Sequence, residues 1–285
     1  MEFIGGQAVI EGVLIKGPKK LAIAVRNPQG EIVTKEEESI SVTKKNKLLN
    51  LPIIRGPIIL AETMVMGIKA LNYSANVSIE EEGEDEKLST GSLLVTLFIS
   101  LGLAIFLFKL LPLFIAESAS TYISFIANKY FFNLTEGITK IIILIGYIYF
   151  ISLMPDVRRV FQYHGAEHKV VNAYEHKDLE NPKKYSRIHV RCGTSFILFV
   201  LALSILVYLF IPLDYNFAIK LLIRLALLPL IAGIAYELIK ISGKYDKKLW
   251  FKIIISPGLF LQKLTTKEPN EKQLEVAMTA LKSVI

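Results

Sequence analysis

The chain has 285 residues, of which 52% are hydrophobic and 21% charged, and its formal net charge is +7. The apolar content exceeds that of an ordinary soluble domain and favours a protein that lies partly in a membrane and partly in water. The cations are spread along segments that flank apolar runs, and no nucleic-acid-binding motif accompanies them. Anionic lipid headgroups and membrane topology therefore explain the positive charge better than nucleic acid does.

Residues 1–87 are predicted to form a cytoplasmic, β-rich N-terminal segment. They contain no basic stretch followed by a short apolar core and a cleavage site, so a cleaved signal peptide is not expected. Asn27 to Gly30 lie between two alternating runs and predict a turn that joins two strands. The spacing of apolar residues from Pro57 to Tyr73 predicts a surface helix, and the acidic run Glu80 to Glu86 predicts a solvated linker.

Residues 88–285 are predicted to form a membrane domain, because a hydrocarbon core of roughly 30 Å is crossed by about 20 apolar residues. The predicted spans are Leu88 to Phe108, Gly137 to Pro155, Thr194 to Leu213 and Asn216 to Ile241. The basic loop 155–193 identifies the cytoplasmic side, where four crossings also place both termini.

The predicted fold class is thus mainly α and integral to the plasma membrane. It has about four transmembrane helices, the small N-terminal β-rich segment, cytoplasmic amphipathic helices and an interfacial or cytoplasmic C-terminal tail. Membrane lipids are the expected partners.

All four histidines and the single cysteine lie between His164 and Cys192. Within this stretch, His164, Glu167 and His168 match the pattern H-x-x-E-H, in which two histidines one helical turn apart can hold one metal ion. Zinc with three protein ligands keeps one position for water, and a carboxylate can then act as a base. The motif predicts a zinc or other divalent metal site with Glu167 as catalytic base.

Two sets of residues can complete that site. Glu237 is the leading candidate for the third ligand, because an acidic group in an apolar helix is costly without a partner. The alternative set is His189 and Cys192, whose spacing is typical of a closed, structural zinc site.

Six blocks of sequence together resemble the bacterial YqhQ-like family of unknown function. They are GGQAVIEGVLIKGP, LPIIRGP, ALNYSANVS, FQYHGAEHKVVNAYE, YSRIHVRCGTSF and SPGLFLQKLTTKEP, in this order over nearly the whole chain. The resemblance implies a multi-pass membrane protein and a predicted metal-dependent enzyme. The motif positions that it carries over are Glu11, Arg55, His164, Glu167, His168, His189, Arg191 and Cys192.

Three functions are compatible with these observations. The leading hypothesis is a membrane-bound zinc hydrolase, such as a peptidase, that acts on a peptide or membrane protein. The second is a membrane scaffold or regulatory protein whose histidine and cysteine site is structural. The third is a transporter or channel, which is suggested by the charges of Arg224 and Glu237 within an apolar span. The substrate, the identity of the metal and the oligomeric state stay open.

Overall fold

A computed structural model describes residues 4–79, 90–245 and 248–285. The acidic run Glu80 to Glu86 lies outside the described residues.

The N-terminal segment forms a four-stranded antiparallel sheet in which strand order follows chain order. Its strands are β1 (Gly5–Val9), β2 (Gly12–Lys16), β3 (Lys20–Arg26) and β4 (Ile32–Glu38). The predicted turn joins β3 to β4, where the Gly30 N–H donates to the Asn27 carbonyl at 3.0 Å and Gly30 has a φ of +89°. Glycine adopts this left-handed backbone without steric cost. The four observed strands confirm the predicted β-rich segment.

Helices cover both faces of this sheet. They are α2 (Arg55–Ile79) on one face and α6 (Pro155–Glu175) and α11 (Glu271–Lys282) on the other, and the short helix α1 (Val42–Lys45) lies next to α2. Val13 and Ile15 pack against α6 and α11, whereas Leu14 packs with α2, because successive side chains of a strand point to opposite faces. The N-terminal sheet, the central helix α6 and the C-terminal helix α11 consequently share one apolar core.

Apolar helices make up the rest of the chain. They are α3 (Thr90–Ile105), a π-helical segment (Phe106–Leu110), α4 (Leu111–Tyr122), α5 (Lys129–Ile151), α7 (Gly193–Tyr208), α8 (Phe217–Ala226), α9 (Leu228–Tyr245) and α10 (Leu249–Thr265). Within the described residues, three helical stretches are long and apolar enough to cross a membrane, namely Phe98–Tyr122, Lys129–Ile151 and Phe217–Ile241. Large apolar side chains such as Phe98, Phe114 and Ile142 are exposed on them, as expected of helices that face lipid.

Three of the predicted spans differ from the helices observed. The first does not end near Phe108, because the helix continues to Tyr122 and its Lys109 is buried against Tyr208 instead of marking an end. The second, Gly137 to Pro155, falls on the helix Lys129–Ile151, which begins eight residues earlier and ends before Pro155. The third is the helix α7, which has 16 residues and is shorter than the three long stretches. Its helix stops before Pro212, a residue that cannot continue a helix.

Helix α10 brings the C-terminal part of the chain close to α7. An added Cβ at Gly258 would lie 2.7 Å from Ser195 Oγ, so the two helices touch at this glycine. The helix passes through Pro257 without a break and ends at Thr265, whose carbonyl reaches the histidine motif described next.

Candidate metal centre

Helix α6 carries the H-x-x-E-H motif on a rigid support. One side of the helix packs into the sheet core through Tyr163, Ala166 and Val170. His164 and His168 lie one turn apart, and their ring centroids are separated by 4.4 Å. The motif is therefore held in place by the packing of its own helix.

Backbone carbonyls orient both histidine rings. The Nδ1 of His164 lies 2.9 Å from the carbonyl oxygen of Thr265, and the Nδ1 of His168 lies 2.6 Å from that of Arg187. A carbonyl oxygen only accepts hydrogen bonds, so each Nδ1 carries the proton and each Nε2 presents a lone pair. This is the usual way in which a protein prepares a histidine for metal binding.

Cys192 supplies a third donor atom. It precedes helix α7, and its Sγ accepts the Thr194 N–H at 3.4 Å and lies 3.3 Å from the Nε2 of His164. One ligand atom each from His164, His168 and Cys192 all lie within 4.8 Å of one another. Nitrogen and sulfur ligands around a tetrahedral zinc ion lie roughly 3.5 Å apart. The group is thus compact enough that a small adjustment of the side chains would let it hold such an ion.

His189 takes part in a different set of contacts. Its Nε2 lies 3.3 Å from both carboxylate oxygens of Glu175, which also forms an ion pair with Arg191. Burial raises the pKa of the Glu175 carboxyl, but the hydrogen bond from His189 and the charge of Arg191 outweigh it and lower the pKa. The backbone N–H and carbonyl of His189 both bond to the side chain of Gln262, each at 2.9 Å.

Glu167 is buried between α6 and strand β1. An added Cβ at Gly6 would lie only 2.8 Å from Glu167 Cγ, and the Gly6 N–H donates to the carboxylate. Burial raises the pKa of the Glu167 carboxyl, and the nearby histidines and the Gly6 N–H offset this only partly. Among the described residues, no lysine or arginine forms an ion pair with it.

Glu237 does not lie with the histidines. Its carboxylate forms a two-pronged ion pair with Arg55, in which Arg55 Nε donates to Oε1 at 2.7 Å and Nη2 donates to Oε2. The Ile53 N–H lies 3.4 Å from the same carboxylate. Glu237 thus has a charged partner within its apolar helix, the guanidinium of Arg55. In the structure Cys192, and not Glu237, lies with His164 and His168.

The other motif residues also form ion pairs. Glu11 lies in the turn between β1 and β2, where it pairs with Arg159 and accepts a hydrogen bond from the Tyr163 hydroxyl at 3.2 Å. This contact fastens the sheet to helix α6, whereas Arg55 fastens α2 to α9. Arg191 helps to hold Glu175 and, through it, His189.

A cavity of about 760 Å³ opens at this site. His164, Glu167, His168 and Cys192 line it together with His189 and Arg191, and further lining residues come from the sheet and from α2 and α9. The lining includes Arg55 itself, whereas its partner Glu237 is absent from it.

Some residues of the site could not be recognised from the sequence. Thr265 and Arg187 orient the histidines through their carbonyl oxygens, and a backbone atom leaves no signal in the residue type. Gln262 and Gly6 fall within the sequence blocks of the family resemblance, but nothing in those blocks shows that they contact His189 and Glu167.

Comparisons with known proteins agree with the resemblance seen in the sequence. Residues 51–285 match the family model described as "Protein of unknown function (DUF1385)". The chain is 37% identical over 300 residues to the "Uncharacterized protein YqhQ" of Bacillus subtilis (strain 168), a match that covers 99% of this chain and 92% of the relative. No solved structure matches the chain. The chain therefore belongs to the DUF1385 family of YqhQ-like proteins, whose function is unknown.

Proposed function

We propose that the protein is a membrane-bound, zinc-dependent hydrolase with His164, His168 and Cys192 as metal ligands and Glu167 as general base. The observation that carries this proposal is the group of three donor atoms within 4.8 Å of one another on a cavity wall. Catalytic zinc sites have three protein ligands and an open position, whereas structural sites have four. When bound there, zinc would polarise a substrate carbonyl and lower the pKa of a water molecule to about 7.

The contacts of His189 support an open site over a closed one. A closed site would need His189 as its fourth ligand, but its Nε2 is directed at Glu175. In the described part of the chain, no fourth histidine, cysteine or carboxylate belongs to the donor group.

The position of Glu167 supports its role as the base. It lines the same cavity as the donor group and precedes His168 on the same helical turn. Within the ranges that the structure describes, its carboxylate forms no ion pair with a lysine or an arginine, so it is available to accept a proton from a group in the cavity.

The shared core supports a location at the cytoplasmic face of the plasma membrane, with both termini in the cytoplasm. The sheet, α6 and α11 pack together and must lie on one side of the membrane. An even number of crossings must then separate α6 from each of the other two. The stretches Phe98–Tyr122 and Lys129–Ile151 satisfy this before α6. After α6, the short helix α7 must cross together with Phe217–Ile241 to make the total four.

The cavity lies where this arrangement puts the membrane surface. Tyr236 and Lys240 line it, and they belong to the last turns of the stretch Phe217–Ile241. We propose that the substrate is a peptide or a segment of a membrane protein that reaches the cavity from this surface.

Metal analysis and complementation together test the proposal. Purified Glu167→Gln protein should retain zinc like the wild type, because Glu167 is not a ligand, but it should fail to complement a strain that lacks the protein. Glu180→Gln, a change at an exposed glutamate, is the matched control and should complement fully. Full complementation by Glu167→Gln would overturn the hydrolase.

Substitutions of the ligands test the metal site itself. His164→Ala, His168→Ala and Cys192→Ser should each lose zinc, whereas His176→Ala should keep it. His176 is an exposed histidine at the end of the same helix and so controls for the loss of an imidazole. Zinc retention in the double variant at His164 and His168 would exclude a metal at this site.

A scaffold with a structural metal is the second candidate. One observation favours it, namely that three separate segments build the site. The donor atoms and the carbonyls that orient them come from α6, from the segment around Arg187 to Cys192 and from the end of α10. A metal would tie these three segments together. The scaffold is the better account if Glu167→Gln complements while Cys192→Ser loses both zinc and stability.

The charges that suggested a transporter both have partners. Arg224 pairs with Glu136 and Glu237 pairs with Arg55, so neither charge by itself favours a transport path.

A further inference from the structure

A second group of charged side chains is buried among the apolar helices, away from the metal centre. Lys109 comes from the π-helical segment, Glu136 and Lys140 from α5, Tyr208 from the end of α7 and Arg224 from α8. Glu136 and Arg224 are 0% exposed, and Lys140 is 1% exposed. Ionisable groups within such helices are rare and usually functional, since their burial is costly.

The single carboxylate in the centre of this group is shared by two of its cations. Glu136 accepts from Lys140 Nζ at 2.6 Å and from Arg224 Nη2 at 2.7 Å. Lys109 donates to the hydroxyl of Tyr208 at 2.9 Å, and no carboxylate in the described part of the chain forms an ion pair with it. Three buried cations are therefore balanced by one carboxylate.

Neighbouring groups do not supply the missing negative charge. Glu117 pairs with Lys220 at 2.5 Å, so that pair is neutral. Asn133, which lies 3.5 Å from Arg224, carries no charge.

Tyr208 relieves the excess charge only in part. The three cations lie 5.4, 4.6 and 4.9 Å from the centre of its ring for Lys109, Lys140 and Arg224 respectively, within the range of cation–π attraction. Its hydroxyl also contacts the Arg224 carbonyl at 3.3 Å, as a donor. A neutral ring offsets less than the cost of burying an unpaired cation.

The backbone around Lys109 departs from a regular α-helix. The Leu111 N–H donates to the Phe106 carbonyl, which widens one turn, and Pro112 follows without an N–H of its own. Such π-helical turns are frequent at functional sites. Here the wide turn coincides with the cation that has no carboxylate.

We propose that a small inorganic anion of the size of chloride binds beside Lys109 and is shared with Lys140 and Arg224. The bound anion would supply the negative charge that the buried cluster lacks. The site does not involve the residues of the metal centre, so it is independent of the proposed hydrolase.

Chloride binding to the purified wild-type protein tests the proposal directly. The protein in lipid nanodiscs should bind radioactive chloride saturably. Its unfolding temperature should rise with chloride at constant sodium concentration, and the same concentration of gluconate, a much larger anion, should have no such effect. No saturable binding by the wild type would overturn the proposal, and proton loss from Lys109 would then account for the cluster.

Two matched substitutions locate the anion. Lys109→Met removes the unpaired charge and should weaken chloride binding by about 10-fold or more, since a charge-assisted hydrogen bond is lost. Lys129→Met removes an exposed lysine near the start of α5 and should leave binding unchanged. Equal weakening in both variants would show general charge screening and overturn the site. If Lys109→Met does not fold, Lys109→Arg should restore folding and bind chloride like the wild type, and its failure to bind would also overturn the proposal.

Discussion

Glu167 occupies the point where strand β1 meets helix α6, and its surroundings depend on one glycine. The Gly6 N–H donates to its carboxylate, and there is no room for a side chain at that position. A glycine in the first strand thereby controls the position of a carboxylate that lies far along the sequence. The residue that we propose as the base is held by backbone contacts as well as by its own helix.

Replacement of Gly6 with alanine should therefore displace Glu167. The new Cβ would lie 2.8 Å from both Glu167 Cγ and the Leu14 carbonyl oxygen, so something must move. We expect the Gly6→Ala protein to keep its zinc, because none of the proposed ligands lies in strand β1. It should lose complementation, because Glu167 is displaced. Gly5→Ala is the matched control, since nothing lies within 4 Å of its added Cβ. Equal function of the two variants would argue against a role for this contact.

The proximity of the two histidines was predictable from the sequence, but the choice of Cys192 over Glu237 as their neighbour was not. His164 and His168 share a helix, and helical periodicity alone brings them together. Cys192 lies on another segment, and its position depends on the start of α7 and on the contacts of Gln262 with the neighbouring His189. Glu237 was a reasonable choice by charge, yet its partner Arg55 is distant in sequence and only the fold shows the pairing.

At the scale of elements, the Arg55 and Glu237 pair joins helix α2 to helix α9. Both side chains are largely buried, at 16% and 17% exposed. Arg55 donates to both oxygens of the Glu237 carboxylate, and such a two-pronged contact requires the ionised carboxylate. The pair therefore fixes one wall of the cavity through a contact that requires both charges.

A double-mutant cycle tests this pair. Arg55→Ala and Glu237→Ala should each destabilise the protein, and the cycle should give a coupling of about 0.5–3 kcal/mol, as is usual for residues in direct contact. The change in unfolding temperature measures the coupling, and zinc analysis of the same samples should show full retention. Loss of zinc from the Glu237→Ala protein would instead support the hypothesis that Glu237 is the third metal ligand.

Local signals predicted the elements better than the contacts between them. Asn270 begins helix α11 with a capping box, in which its side chain bonds to the Gln273 N–H at 2.9 Å, and an N-terminal cap is visible in the sequence there. The turn at Asn27 to Gly30 was equally local. The ends of the apolar helices could not be predicted from local sequence. A charged residue such as Lys109 in an apolar run suggests the end of a span, and only the fold shows that its partner Tyr208 lets it be buried.

At the scale of the whole molecule, the core that holds one face of the sheet is built from three distant parts of the chain. Strand β2, helix α6 and helix α11 contribute Ile15, Val170 and Leu281 to one core. This packing requires that the helices between them return the chain to the same side of the membrane. Whether the chain crosses the membrane four times depends on helix α7, because with 16 residues it is the shortest of the proposed crossings.

Topology reporters should place both termini in the cytoplasm and the loop at Tyr215, between α7 and α8, outside it. The Lys and Arg content of the loop 155–193 favours the same orientation. A reporter at Tyr215 that gives a cytoplasmic signal would show that α7 does not cross, and the four-crossing arrangement would be wrong.

X-ray absorption spectroscopy of zinc in the purified protein tests the central claim most directly. The account predicts one sulfur ligand at about 2.3 Å, two imidazole nitrogens at about 2.0–2.1 Å and one further light atom from solvent. Cys192→Ser should remove the sulfur signal. A wild-type protein without zinc, a shell without sulfur, or a shell with a third imidazole from His189 would contradict the open site of His164, His168 and Cys192.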